Sequence, residues 1–560
     1  MAAVLGVSAH YHDAAAALVV DGRIVAAQQE ERLSRVKNDP SLPRMAIDAC
    51  LALGDIEAAA LDRVVFYENP YRKLERVMVG SFAAFPRGAG FFRRALRSQL
   101  GDKLWVLDQL AAHLGVKRER VSFVDHHQSH AASALDCAPF DDAVALTIDG
   151  VGEQESTAIW APADGGPRRV ASIDYPHSLG LFYAAITAYL GFRVNEGEFK
   201  VMGLSAYGTS RFDDEVNQLL RVAADGSFRL RTSAFDEHLR PDRAYGDELV
   251  QLLGPARESQ RPWDLDSGED RRFADLAASA QRALEEAVLA LGRAAHERTG
   301  ARHLALAGGV ALNCSANARL LAEGPFERVF VQPAAGDAGG ALGAALLGAR
   351  SEGDAIDGRF DPALGVAADP DRAMAVARHL GLNADRVDDP EREAAERLAG
   401  GAIVAWVRGR SEWGPRALGQ RSLLTRGDDV TLRDVLNRRI KGREAFRPFA
   451  PVVRDEHASA LFEGAPNDMT PAMTTVCRAM DDSLPGCTHV DGTARVQTVG
   501  PEGALDGLLR AMEGHGQRAL LNTSLNAAGE PLVAHVTDAL DFFVRRKPDV
   551  LYVEDVRITR

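Results

Sequence analysis

The sequence predicts a two-part α/β protein whose first part is internally duplicated, and three observations lead there. Hydrophobic residues make up 46% of the 560 and charged residues 26%, the balance of a globular chain with ample apolar material for a core. Two segments about 140 residues apart repeat one plan of short apolar strands joined by Asp-Gly turns. A stretch rich in Gly, Asp and Pro, SEGDAIDGRFDPALGVAADPDR at 351–372, then sets a second α/β unit apart, as breaker-rich linkers do.

The chain opens on VLGVS (4–8), a turn holding His10, His12 and Asp13, the run AAAALVV (14–20), an Asp21-Gly22 turn and RIVAAQQEER (23–32). The second copy reads AVALTIDG (143–150), a turn, STAIWA (156–161), an Asp-Gly-Gly turn and PRRVASIDY (167–175). Strands spaced by such turns form meanders. Two units of this kind, each followed by helices and facing one another, make the actin, Hsp70 and sugar-kinase architecture. Between them, the apolar spacing of LWVLDQLAAHLGV predicts a helix over 103–120, followed by the strand VSFV (121–124). The polar stretch 215–250 reads as an insertion or lid, and 274–298 as one long helix. LALA (304–307), a Gly308-Gly309 turn, VFVQP (329–333) and a Gly-rich helix start complete the first part, and the second begins with the strand AIVAWV (402–407). The expected division is 1–355, a linker at 356–372, and 373–560.

A net charge of −14 argues against a chain-wide nucleic-acid or polybasic membrane surface. No apolar run reaches the roughly 18 residues of a spanning helix, and the N-terminus reads as a strand, not a signal peptide. Five cysteines (50, 137, 314, 477, 487) form no CxxC pair, which suits reduced thiols in a cytoplasm.

The most specific local feature is VSFVDHHQSHAASAL. Asp125 can cap a helix that starts at His126, and His126 and His130 then share one face at the spacing two imidazoles need for one metal ion. His127 points elsewhere. Asp149 and Asp337, each following an apolar strand, are the best further ligands, because open α/β sheets place ligands at such ends. Two nitrogen and two carboxylate donors suit Fe(II), Mn(II) or Zn(II). Gly308 and Gly309 allow a nucleotide to approach the backbone closely, with Asn313 near enough to bond it.

From Arg408 to Arg454 there are twelve Lys/Arg and five Asp/Glu, interleaved with Gly, Pro and aromatics. Arg forks and a compact Lys charge suit a small polyphosphate in a cleft, although a surface salt-bridge network gives the same composition. A polar loop of Asn522, Thr523, Ser524 and Asn526 follows the strand-like ALL (519–521).

Taken together, HDAAAAL (12–18), EERLSRVK (30–37), DHHQSHAASA (125–134), SLGLFYAAITAYLGF (178–192), EGEFKVMGLSAYG (196–208), GGVALN (308–313), WGPRALGQRS (413–422), NRRIKGREAFRPFAP (437–451), DGTARVQTV (491–499) and LNTSLNAAGEPLV (521–533) resemble the O-carbamoyltransferases of nodulation-factor and antibiotic pathways, the tobramycin type among them. One departure is Phe199, where a small residue is expected. The resemblance implies an actin/Hsp70-like N-terminal domain akin to the tRNA threonylcarbamoyl transferase. It implies a C-terminal acyl-adenylate-forming domain of the YrdC/Sua5 kind.

It further implies that carbamoyl phosphate and ATP, with Mg²⁺, form carbamoyl-adenylate and pyrophosphate in the C-terminal domain, at Arg416, Lys441, Arg443, Arg447, Asn522, Thr523, Ser524 and Asn526. The carbamoyl group would then pass to the hydroxyl of a small natural-product acceptor, releasing AMP. That step would use Fe²⁺ on His126, His130, Asp149 and Asp337, nucleotide contacts from Lys200, Gly308, Gly309 and Asn313, and His12 as base, with His10 the alternative. Alternatives are a tRNA-modifying enzyme, which should show a basic face, and an actin/Hsp70-class ATPase, which leaves the Arg-rich segment unexplained. The expected partners are a hydroxylated small molecule and, in a homodimer, a second copy, without nucleic acid or membrane.

Overall fold

The computed structural model describes residues 2–83, 89–235, 243–259 and 261–560. They form two compact units, Met1–Ala26 with Pro40–Phe360, and Ala27–Asp39 with Asp361–Arg560. Residues 27–39, which the sequence reading keeps with the first part, thus pack with the second. Among the described residues no helix is long and apolar enough to cross a membrane.

The first unit is duplicated as the repeat predicts. One five-stranded sheet has the order Arg23–Gln29, Ala15–Val20, Ala3–Ser8, Arg63–Phe66, Val121–Phe123, and the other Arg168–Asp174, Glu155–Ala161, Ala143–Ile148, His303–Ala307, Arg328–Val331. In each, the first strand in sequence pairs antiparallel with the second and parallel with the fourth. This shared 3-2-1-4-5 order makes the unit an actin/Hsp70-like fold. The Asp21-Gly22 hairpin turn has positive φ at both residues, 53° and 74°, the type I′ geometry that matches strand twist. The predicted helix 103–120 is shorter in the structure. It runs Val106–Leu114 and ends where Gly115 turns left-handed. Within 215–250, a helix at Asp213–Leu219 and a small hairpin, Leu220–Val222 with Phe228–Leu230, are described, and 236–242 lie outside the described residues.

The second unit centres on an eight-stranded mixed sheet ordered Asn383–Arg386, Val556–Thr559, Val550–Val553, Val404–Val407, Arg421–Arg426, Ala519–Ser524, Ala450–Arg454, Gln497–Val499. Successive residues of Val404–Val407 alternate between two apolar clusters, so the sheet is covered on both faces. Pro390–Ala399 and Asp506–Glu513 pack on the Trp406 side, and Pro370–His379 and Val536–Arg546 on the other. Asp369 and Asp389 each cap a helix that begins with Pro, the local signal that starts both. Ala519–Ser524 continues through Asn522 to Ser524 by pairing with Arg421–Arg426, so those residues are strand and not the loop expected from the sequence.

What positions the first unit's chemistry is the packing of His126–Leu135 on Asp337–Ser351. A Cβ on Gly343 would stand 1.7 Å from the Ser129 carbonyl oxygen, and one on Gly340 would stand 3.2 Å from the Ser129 hydroxyl. The helices therefore meet backbone to backbone. Gly343→Ala forces them apart and should cost at least the ~1–3 kcal/mol typical of overpacking. It is expected to lower the melting temperature and weaken divalent-metal binding together, and an unchanged thermal midpoint would contradict this packing.

Candidate active site

The helix Asp337–Ser351 and the strand Ala143–Ile148 bring Asp337 and Asp149 to the first turns of His126–Leu135. His126 and His130, one turn apart, aim both Nε2 atoms at one point, 3.2 Å from each other. Asp149 Oδ2 lies 3.1 Å from each nitrogen, and Asp337 Oδ1 lies 3.7 and 3.8 Å away. The four donors lie within 4.8 Å of one another. Ligands bonded at about 2.0–2.1 Å around one transition metal stand roughly 3.0–3.4 Å apart, so the separations fit a shared ion. Both imidazoles and Asp337 are buried.

The two carboxylates set the charge state of the His130 imidazole. Burial favours the neutral imidazole, yet bonds to Asp149 and Asp337 outweigh it and push His130 up to about 9. Burial alone would raise Asp149, but His126 and His130 hold it well below the carboxylate range. His127 is different: its Nδ1 is 2.8 Å from the Thr147 hydroxyl, Nε2 donates to the Glu155 carbonyl, and burial drives it well below the usual histidine value. It is a core residue.

His12 sits across from this centre, with Nδ1 3.1 Å from Asp13 Oδ2. Burial opposes its charge, but Asp337 and Asp13 push it up to about 10. His10 is lowered by burial. His10 and Asp13 have φ of 70° and 55°, so the turn carrying His12 is flanked by two left-handed non-glycine residues.

A cavity of about 240 Å³ opens beside these groups. His12, Asp13, Asp149, Gly309, Asn313 and Asp337 line it, with apolar wall from Tyr183, Phe199, Met202, Leu284 and others. Asp149 Oδ1 accepts from the Gly150 and Gly309 amides. Gly308 turns at φ 91°, where a Cβ would strike the Ile148 carbonyl. Asn313 caps a helix and exchanges hydrogen bonds with Gln281 at 2.9 Å. Lys200 lies over the Phe192 ring, 5.5 Å from its centroid, while its neighbours Glu198, Phe199 and Met202 line the cavity.

In the second unit, Lys441 is buried and donates to Ser524 O and Oγ and to Asn526 O and Oδ1 at 2.6–3.2 Å. Burial, then Arg443 and Arg447, drives its pKa well below the usual lysine value. Arg443 bonds Asn437 Oδ1 at 2.6 Å and lies over the Phe449 ring; burial, Arg447 and Arg495 depress it strongly. These four cations share one neighbourhood. Asn522 is buried and donates to Ala417 O and Gln497 Oε1, whereas Thr523 and Ser524 are half-buried.

Sequence reasoning missed Arg495, visible only as one basic residue in DGTARVQTV. It also missed Glu412, whose buried Oε1 accepts from the amides of Leu418, Gln420 and Arg421 at 2.9–3.0 Å. Glu412 thereby closes the loop that carries Arg416. Other basic residues of 408–454 are structural. Arg421 is buried and bonded to five carbonyls, those of Ala534, Arg408, Gly409, Gln420 and Val366. Arg408 pairs with Glu391 and Glu554, and Arg454 with Glu456, Asp506 and Glu513.

Family models described as carbamoyltransferase N-terminus and carbamoyltransferase C-terminus match residues 3–346 and 395–560. The uncharacterized protein sll1178 of Synechocystis sp. is 40% identical over 99% of this chain and 96% of its own. Nodulation protein NolNO of Sinorhizobium fredii is 37% identical over 97% and 78%. The 3'-hydroxymethylcephem-O-carbamoyltransferase of Amycolatopsis lactamdurans is 29% identical over 94% of each chain.

The raised imidazoles imply a pH dependence. A histidine raised by folding stabilises the fold fully below its unfolded value of 6.5, and that contribution is lost as pH climbs through about 9 for His130 and about 10 for His12. Protein stripped of divalent ions should therefore lose melting temperature between about pH 6.5 and 10. Asp337→Asn, which removes a carboxylate common to both, should flatten that decline. A midpoint that rises with pH in this window would refute the assignment.

Proposed function

The chain belongs to the carbamoyltransferase family, and from that premise we propose that it is an ATP-dependent O-carbamoyltransferase acting on a hydroxylated small molecule. The observation that carries the reading is the convergence of His126, His130, Asp149 and Asp337 beside His12 at the wall of a cavity, in a chain whose two halves match both carbamoyltransferase models. The relatives named for nodulation and for cephem carbamoylation favour a natural-product acceptor.

In this reading the second unit activates the one-carbon group. Carbamoyl phosphate loses phosphate to water, and a carbamate oxygen attacks the α-phosphorus of ATP, forming carbamoyl-adenylate and releasing pyrophosphate. Two anions at 4 Å repel by roughly 4 kcal/mol at an effective dielectric near 20, so the step needs fixed positive charge. Arg416, Arg443 and Arg447 supply it to the phosphates, and Arg495 reinforces them. Lys441 has its ammonium committed to Ser524 and Asn526, so it shapes the 524–526 turn and adds charge from behind. Thr523 would bond the carbamate oxygens, the Ser524 hydroxyl holds Asn526 Oδ1 at 2.6 Å, and the buried Asn522 sets the strand that carries them. Mg²⁺ on the nucleotide neutralises what the side chains do not.

The first unit transfers the group. Gly308, Gly309 and Asn313 receive the nucleotide against the backbone, with Lys200 beside them. The two histidines and two aspartates would hold a divalent ion, Fe²⁺ by the resemblance, which would supply Lewis acidity there. His12, held at Nδ1 by Asp13, turns Nε2 toward the acceptor hydroxyl. Its Nε2 is the atom that would take the hydroxyl proton. The alcohol oxygen attacks the carbamoyl carbon and AMP leaves. General-base help of this kind is worth ~10²–10⁴-fold.

Incubation with ATP, carbamoyl phosphate, Mg²⁺, Fe²⁺ and a panel of hydroxylated metabolites should yield AMP, phosphate and pyrophosphate in equal amounts, and one carbamoyl mass gain on the accepted member. Arg416→Ala is expected to abolish pyrophosphate release. His130→Ala should leave pyrophosphate release intact while transfer falls at least a hundredfold. Loss of both half-reactions in His130→Ala would overturn the division of labour.

A further inference from the structure

The strand Arg63–Phe66 runs on into Tyr67-Glu68-Asn69, beside the histidine–aspartate cluster. Tyr67 donates from Oη to Asp337 Oδ2 at 3.4 Å. The Asn69 amide donates to Glu153 at 2.6 Å, and the same carboxylate accepts the His126 amide at 3.0 Å. Glu68 is 3% exposed, and its two oxygens take the Lys73 ammonium at 2.8 and 2.7 Å. Its Oε2 also lies 3.9 Å from His126 Nδ1.

That nitrogen is buried and has no hydrogen-bond partner among the described residues. The position matters because a neutral imidazole carries one proton. If Nε2 gives its lone pair to an ion, the proton must stand on Nδ1, inside the protein, where an unmet N–H is costly. The Glu68 carboxylate is the acceptor in reach, about 1 Å beyond ordinary hydrogen-bond length. His130 Nδ1 is likewise buried without a hydrogen-bond partner among the described residues, and the ion pairs of His130 with Asp149 and Asp337 run through Nε2.

We propose that Glu68 is a positioning residue for the metal centre, accepting the Nδ1 proton of His126 when Nε2 faces the ion, and that Lys73 holds the carboxylate in place for it. The inference rests on the metal reading of the four ligands and adds the pair behind them. A carboxylate behind a ligating histidine fixes its tautomer and ring orientation and makes it a stronger donor, and removing such a group typically weakens metal binding 10–100-fold.

Titration of the full-length protein with Co²⁺, followed by its visible absorption, tests this. Glu68→Gln should weaken Co²⁺ binding 10–100-fold and shift the absorption bands of the bound ion. Because Glu68→Gln leaves Lys73 buried without its partner, the double variant Glu68→Gln/Lys73→Met removes both charges. It should restore the thermal midpoint while binding stays weak. Wild-type affinity and spectrum in the double variant would overturn the proposal, as would a wild-type protein that takes up no Co²⁺. Absent carbamoyl transfer by a wild-type protein that binds Co²⁺, with weakened binding in both variants, would sink the proposed activity and leave the role of Glu68 standing.

Discussion

Everything chemical in the first unit depends on two helices approaching to backbone distance. The ligand atoms come from His126 and His130 on one helix and from Asp337 at the start of the other, so their convergence is set by how far apart the helix axes lie. Gly340 and Gly343 remove the side chains that would hold the axes apart at Ser129. The gain is more than packing. Two carboxylates and two imidazoles are taken out of water together, and buried charges are tolerated only when each is paired. Asp149 achieves this with both histidines and two backbone amides, while Asp337 has His130, His12 and the Tyr67 hydroxyl.

The second unit solves the opposite problem, keeping cations buried near one another. Composition alone shows twelve basic residues in a short span, but the structure divides them by what they touch. Arg421 is spent on backbone carbonyls, Arg408 and Arg454 on carboxylates, and Arg410 on the carbonyls of Gly365 and Leu364. Lys441, Arg443 and Arg447 stand close together: after burial itself, Arg443 and Arg447 depress Lys441, and Arg447 and Arg495 depress Arg443, while Arg447 pairs with Glu444 at 3.5 Å. A group of cations that repel at close range, inside a low-dielectric setting, is stable only against an anion or at a cost to the fold. Arg32, from the segment Ala27–Asp39, also belongs to this unit, where it donates to the carbonyls of Glu412 and Gly414.

The duplicated fold and the four clustered donors were legible in the sequence for local reasons. Asp-Gly turns and apolar alternation act over a few residues, and the four-residue spacing of His126 and His130 fixes their common helix face before any tertiary contact forms. Asp149 and Asp337 followed from the rule that strand ends carry ligands. What stayed hidden depends on partners distant in the chain. Asn522 reads as loop because its strand is continued by pairing with Leu424, about a hundred residues away. Glu68 and Lys73 look like an ordinary surface pair until the fold sets them behind His126. The pairing of Arg408 and Arg454 likewise needs Glu391, Asp506, Glu513 and Glu554, none of which lies in that segment.

The turn between the first two strands shows the same dependence in the backbone. L-residues in the left-handed region cost roughly 1–2 kcal/mol each, and this turn holds two, His10 and Asp13, around Tyr11 and His12. Glycine at position 13 would relieve the strain there, but it would also delete the Asp13 carboxylate that fixes His12 Nδ1. The His10 amide is tied to the Pro40 carbonyl at 2.8 Å, so the turn is anchored by a contact outside itself. Strain of this kind persists only where surrounding structure over-determines it. Here it delivers an imidazole, already oriented through Nδ1, to the edge of a cavity whose other wall carries Asp149 and Asp337. A two-residue hairpin such as the Asp21-Gly22 turn on the same sheet would carry no imidazole to that edge.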